Sequence, residues 1–273
     1  MSGQFSPRGT TRRDILKSLG TAGALGSAAS LAACSTTVSV NAAHAPPATP
    51  FKIATTTIPI AGTNEAFPVR RIYCIGRNYA AHAREMGADS REPPFFFQKP
   101  TDAVVASGAT IAYPPATRNL HHEVELVLAI REPGYAIAAS DARRHVFGAA
   151  AGIDLTRRDL QDAAKASGKP WESGKAFDAS APIGAIRELA PTAPLPRAGR
   201  ISLSVNGRVR QDGDLADMTW GCDEIVAQLS RLFRLEAGDL IFTGTPAGVG
   251  PIERGDRVEG QVEGVGEVLL RVN

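Results

Sequence analysis

The clearest alternation of apolar and polar positions along the chain is His121–Ile130, HHEVELVLAI. At period two, Glu123 and Glu125 share one face while Val124, Leu126 and Leu128 share the other. The β-branched and leucine content predicts a strand. A second apolar run of small residues, HVFGAAAGI, ends at Asp154 and gives way to LTRRDLQD. This predicts a buried strand that carries an acid at its mouth, where the following loop is exposed. Short strands are predicted over Phe51–Ile60, Arg71–Ile75, Phe95–Gln98, Ala103–Ala106, Thr110–Tyr113 and Leu240–Phe242, most of them bounded by Gly or Pro. Helical spacing appears in AAHAREMGA, over Ser140–Val146, over Arg157–Ala166 and over Thr219–Leu232. Asn206-Gly207 between Ile201–Val205 and Arg208–Arg210 is a hairpin signal, and Asp256–Val272 alternates as a closing hairpin.

Two readings of the acidic strand stand side by side. It is a half-buried strand with a solvated acidic face, or Glu123, Glu125 and Asp154 form a set of three hard oxygen ligands with no competing cysteine. Two carboxylates on neighbouring same-face positions repel unless a positive group lies between them. The second reading suits Mg²⁺ or Mn²⁺, with positions left open for water and substrate.

Composition adds limits rather than a function. The 273 residues suffice for one large domain or two small ones, and 43% hydrophobic with 21% charged residues is ordinary for a globular chain. The formal net charge of +2 rests on the leader, where Arg8, Arg12, Arg13 and Lys17 outweigh Asp14, so the remainder is close to neutral. That balance gives no case for a nucleic-acid partner. There is no phosphate-binding loop, dinucleotide fingerprint or nucleophile elbow. The spacing of Cys34, Cys74 and Cys222 argues against a zinc site; Cys74 and Cys222, in apolar surroundings, read as buried thiols sooner than as a disulfide.

Residues 1–45 read as an export leader. Thr11–Lys17, TRRDILK, matches the twin-arginine pattern, and the Gly/Ala/Ser-rich segment after it is too short and too weakly apolar for a membrane span. Leu31-Ala32-Ala33-Cys34 resembles a lipoprotein cleavage box, with ordinary cleavage near Val40–Ala45 as its competitor. The expectation is export to the periplasm by the twin-arginine route, with a lipid anchor at Cys34 as a variant. Residues 46–66 read as a linker and a short strand, and 67–273 as the catalytic domain.

The motifs GRNYAAHAREMG, FFQKP, TRNLHHEVEL, GIDLTRRDLQ, GKAFDASAP, VNGRVRQ and LIFTGTPAGVG, in this order, resemble the fumarylacetoacetate hydrolase family, and within it the acylpyruvate and fumarylpyruvate hydrolases. The resemblance covers residues 67–273. It implies an α+β, predominantly β fold, the mixed β-sandwich roll of that family's C-terminal domain, and a homodimer. It implies Glu123, Glu125 and Asp154 as metal ligands and His82, Glu85 and Lys175 as catalytic residues, with His82 and Glu85 forming a dyad. Arg77, Tyr79, Lys99, Gln161 and Thr245 fall on its substrate-contact positions.

The expected activity is metal-dependent hydrolysis of a C–C bond in a 1,3-diketo acid, which needs an activated water and a stabilised enolate leaving group. The same site could decarboxylate oxaloacetate, or isomerise or decarboxylate longer dienoic keto acids, without that water. A third class is a periplasmic keto-acid binding protein, which would need the metal and anion contacts but no general base.

Overall fold

The computed structural model describes residues 49–79 and 92–273. A mixed eight-stranded sheet forms its centre. From one edge, the strands run Phe96–Lys99, Arg71–Ile75, Asp239–Phe242, Val124–Ile130, Val146–Ile153, Ala181–Ile183 and Val104–Ala106; Arg187–Glu188 also pairs with Val146–Ile153. The acidic strand and the strand leading to Asp154 lie side by side and antiparallel, with Val124 opposite Ile153 and Glu125 opposite Gly152. That register brings residues 123 and 154 together at one end of the pair, where the Asp154 amide donates to the Glu123 carbonyl at 2.8 Å.

Both faces of the central sheet are covered. Leu126, Leu128, Ala149, Ala151 and Ile153 pack in one core with Ile201, Leu203, Val258 and Val268 of a second, five-stranded antiparallel-dominated sheet and with Ile225, Val226 and Leu229 of the helix Cys222–Leu232. Val127, Ala129, Ile72, Leu240 and Phe242 share the opposite core with Ile58 and Phe67 of the N-terminal hairpin Thr57–Pro59/Ala66–Pro68. Each large aliphatic side chain buried this way contributes roughly 1.5–3 kcal/mol. Glu123 and Glu125 have the parity of Val127 and Ala129, yet every residue of Val124–Ile130 is buried. The reading of a solvated acidic face is therefore incorrect: the strand is central, and the face that carries the acids is covered by other elements.

Most elements fall where the periodicity places them. Asn206 and Gly207, both at positive φ, close a two-residue hairpin with Val205 opposite Arg208, as a type I′ turn requires. The paired strand continues past Arg210 to Asp214. The segment 51–60 is shorter in strand than its pattern suggests: only Thr57–Pro59 forms a strand, Ile60 adds a single bridge to Ile186, and Phe51 and Ile53 are exposed. The last helix begins at Cys222 because the Glu224 carboxylate accepts the Gly221 amide at 3.0 Å and fixes the start there. Cys74 and Cys222 are buried free thiols. No helix among the described residues is long and apolar enough to cross a membrane.

Candidate active site and metal centre

Three elements deliver the acids. Glu123 ends the short link between Leu120–His122 and Val124–Ile130, Glu125 lies within the latter strand, and Asp154 follows Val146–Ile153 directly. One carboxylate oxygen from each lies within 4.8 Å of the others, and all three residues are buried. They sit on a cleft of ≈ 370 Å³ that Arg77, Arg158, Gln161, Lys165, Trp171, Lys175 and Thr245 also line.

Positive groups are woven through this set. Lys175, buried on the four-residue helix Glu172–Lys175, donates from Nζ to Glu123 Oε2 at 2.7 Å and to Asp154 Oδ2 at 2.6 Å. Gly174 lets that helix press against the preceding one, Arg158–Ala166: a Cβ there would come within 2.8 Å of the Gln161 amide nitrogen. Arg158 bridges Glu123 Oε1 and Gln161 Oε1, the latter at 2.6 Å. Its Nε donates to His121 Nδ1 at 3.3 Å, while His121 Nε2 faces Asn119 Oδ1 at 2.8 Å. Burial and the Arg158 guanidinium push the His121 imidazole down to about 4, so it is neutral and free to accept that bond.

Glu125 has a different environment. Its Oε2 accepts only the Gly244 amide, at 2.7 Å, among the described contacts. Gly244 reaches it with φ +94°, and a Cβ there would meet the Asn78 Cβ at 2.7 Å. Burial, followed by the neighbouring Asp154 and Glu123 charges, pushes the Glu125 carboxyl well above the usual range. Burial opposes the charge on Lys175, but Asp154 and Glu123 outweigh it and hold the ammonium above its usual value.

These residues fit a divalent cation. Three buried, mutually close, oxygen-only donors suit Mg²⁺ or Mn²⁺ chemistry. Glu125 is the donor that the protein's own cations compensate least, and a bound ion would remove the cause of its raised proton affinity.

The structure sorts the other expected site residues. Arg77, Gln161, Lys175 and Thr245 line the cleft with the three acids. Arg77 has φ 60°, a strained conformation for a non-glycine residue, and its Nε is buried without a hydrogen-bond partner. Thr245 Oγ1 accepts from Gln211 Nε2 at 2.7 Å, which leaves the hydroxyl hydrogen to donate elsewhere. Lys99 and Tyr79 do not line the cleft. Lys99 is anchored behind Asp154: its Nζ lies 2.8 Å from Oδ1 and donates to Leu155 O, Lys175 O and Ser180 Oγ. Tyr79 is buried, its hydroxyl unpartnered, and its backbone bridges to Met218. His82 and Glu85 lie outside the described residues.

Arg158, Lys165 and Trp171 were not singled out from the sequence. Arg158, Gln161 and Lys165 stand at i, i+3 and i+7 of one helix, the spacing of a single helical face, and that was the available signal. Gln211 was also missed. It ties Val124 N and His122 Nδ1 to the Thr245 loop from the second sheet, and no local pattern announces such a long-range bond.

The profile of the family described as fumarylacetoacetate (FAA) hydrolase C-terminal matches residues 71–273. A fumarylpyruvate hydrolase of Ralstonia sp. is 44% identical over 183 residues, covering 67% of this chain and 94% of the relative. A mitochondrial oxaloacetate tautomerase of Mus musculus is 40% identical over 205 residues, covering 74% and 91%. The crystal structure of fumarylpyruvate hydrolase from Pseudomonas aeruginosa in complex with Mn²⁺ and pyruvate superposes with a TM-score of 0.77 at 52% identity, covering 85% of this chain and 99% of that one. With a predominantly β fold around a buried acidic triad and relatives matched over most of their length, the chain belongs to the fumarylacetoacetate hydrolase family.

Proposed function

We propose that the chain hydrolyses the C–C bond of an acylpyruvate, fumarylpyruvate giving fumarate and pyruvate, with Mg²⁺ or Mn²⁺ held by Glu123, Glu125 and Asp154. The observation that carries this reading is the buried triad laced to Lys175 in a cleft lined by further cations. One water is consumed. Its oxygen ends on the acyl carbon, the bond to the pyruvyl methylene breaks, and that carbon takes up a proton as the enol returns to the ketone.

A divalent cation bound at the triad supplies concentrated positive charge to the enolate that develops as the bond breaks. The rest falls to the chain. Lys175 brings an ammonium, kept charged by Glu123 and Asp154, beside the developing oxyanion. One such donor is worth about 2.7–4 kcal/mol in comparable sites. Gln161 is held by Arg158 at the same wall, and the Thr245 hydroxyl and the Arg77 guanidinium are offered to ligand oxygens. His82 and Glu85 are assigned to deprotonating the water, with the carboxylate orienting and charge-supporting the imidazole. Lys99 is assigned to holding Asp154 rather than touching substrate.

A second reading uses the same triad on oxaloacetate, by tautomerisation or decarboxylation. It is favoured by the placement of Lys175 and Arg158 against the triad, which suits an enolate and requires no activated water. Isomerisation of dienoic keto acids belongs to the same class.

The test is turnover of fumarylpyruvate and oxaloacetate by chelator-stripped protein with and without Mg²⁺ or Mn²⁺. Hydrolysis that is lost in chelator, restored by metal and absent in Glu123→Ala supports the assignment. Full activity of stripped protein removes the metal from it. For the cellular setting we propose export by the twin-arginine leader to the periplasm, lipidation at Cys34, catalysis confined to 67–273 and assembly as a homodimer.

A further inference from the structure

The cleft holds a cation that the reaction as described does not use. Lys165 lies on the helix Arg158–Ala166, lines the cleft and is only 19% exposed along its side chain. Its ammonium stands 5.2 Å from the centre of the Trp171 ring. Among the described residues, the carboxylate paired with it, Asp162 Oδ1, is 3.6 Å away, beyond hydrogen-bond reach, and belongs to a side chain 60% exposed. Burial, followed by the nearby Arg158 charge, lowers its proton affinity, with Asp162 and Glu123 opposing that shift. A desolvated cation in a ligand cleft gains most from an anion brought by the ligand.

The helix also sets a distance. Arg158 touches Glu123, beside the triad that receives the pyruvyl end, and Lys165 stands seven residues further on the same face. At the α-helical rise their backbone positions are about 10 Å apart. In a seven-carbon diacid keto chain, six C–C bonds of about 1.5 Å, extended, separate the terminal carboxyl carbons by roughly 7–8 Å. A charge-assisted hydrogen bond of about 2.8 Å from the far carboxylate closes the remaining gap. A short neutral acyl group would leave Lys165 without a partner.

We infer that Lys165 is a specificity-determining residue that reads the distal carboxylate of the ligand and selects dicarboxylic over neutral acylpyruvates. This rests on the acylpyruvate reading of the site. Trp171 holds the lysine stem and head in place beneath it.

The experiment compares wild type, Lys165→Met and Lys165→Arg on fumarylpyruvate and on acetylpyruvate, with metal saturating, and measures fumarate binding by calorimetry. Methionine keeps the stem over Trp171 and removes only the charge. The expected result is a roughly 10–100-fold loss of kcat/KM on fumarylpyruvate, the range for one lost charge-assisted hydrogen bond, with acetylpyruvate changed less than about threefold. Fumarate binding should weaken in parallel, and Lys165→Arg should keep most of both. Equal losses on the two substrates would show that Lys165 supports the helix and would overturn the assignment, as would no loss on either. Wild type that hydrolyses neither acylpyruvate would refute the functional reading alone. Fumarate binding by wild type and Lys165→Met would then still decide the role of Lys165, unchanged binding overturning it.

Discussion

Lys99→Met in the metal-free protein isolates what Lys99 does. The ammonium is buried, ion-paired with Asp154 Oδ1 at 2.8 Å, and hydrogen-bonded to Leu155 O at 3.2 Å, to Ser180 Oγ at 3.1 Å and to Lys175 O. Methionine nearly preserves the volume but leaves Asp154 with Lys175 as its one described cation and takes a donor from Leu155 O and Lys175 O, of which Lys175 O keeps the Ser180 hydroxyl at 3.1 Å. Breaking one side of a buried ion pair costs about 3–5 kcal/mol. The lost donor to Leu155 O adds to that cost. For a domain of this size each kcal/mol moves Tm by about 2–4 °C, so Tm in chelator should fall by roughly 6–20 °C. Saturating Mg²⁺ or Mn²⁺ should recover part of the drop, because a cation held by the acidic triad would restore positive charge beside Asp154 but not the carbonyl bonds. The assay is thermal unfolding of wild type and variant, each with chelator and with metal. A variant that melts within about 2 °C of wild type in chelator would refute the anchoring role, and a strong rise in KM with no stability change would return Lys99 to substrate contact.

The remaining predictions concern charge, water and export. Glu125→Gln in chelator should raise Tm near pH 7.5, and the gain should shrink as pH falls toward the ordinary carboxylate range. The native carboxyl binds its proton more tightly than the unfolded one, so its contribution favours folding at low pH and is lost as pH rises through the raised native value. Parallel Tm–pH curves for the two proteins would contradict this. His82→Ala should lower fumarylpyruvate hydrolysis by roughly 10²–10⁴-fold, and any oxaloacetate turnover by less, because only hydrolysis needs the deprotonated water; equal losses would assign His82 to closing the site. Arg12→Lys with Arg13→Lys should keep the protein in the cytoplasm on fractionation, and wild-type distribution of the double variant would remove the leader reading.

The extent to which the site could be read from sequence follows from how each residue reaches it. Glu123 and Glu125 sit on a strand whose period of two is visible locally, and Asp154 ends the run that pairs with it, so the triad is a consequence of one antiparallel register. The burial of those acids was not legible. Alternation with polar residues ordinarily marks a face open to water, but here the N-terminal hairpin covers that side of the sheet, and the strands at 72–74 and 240–242 make the acidic strand central by pairings across more than a hundred residues. Lys99 shows the same limit at the level of one side chain. FFQKP places a lysine after a strand, which fits a substrate contact, but whether its head enters the cleft or passes behind Asp154 depends on Leu155, Lys175 and Ser180. Once it lies behind, the division of labour on Asp154 is fixed. Oδ1 faces an ammonium sealed in the core, and Oδ2 faces Lys175 on the cleft wall. Both lysines are buried, but Lys175 lines the cleft and Lys99 does not. That asymmetry, rather than the presence of two lysines in the motif, is why the proposed role on substrate falls to Lys175.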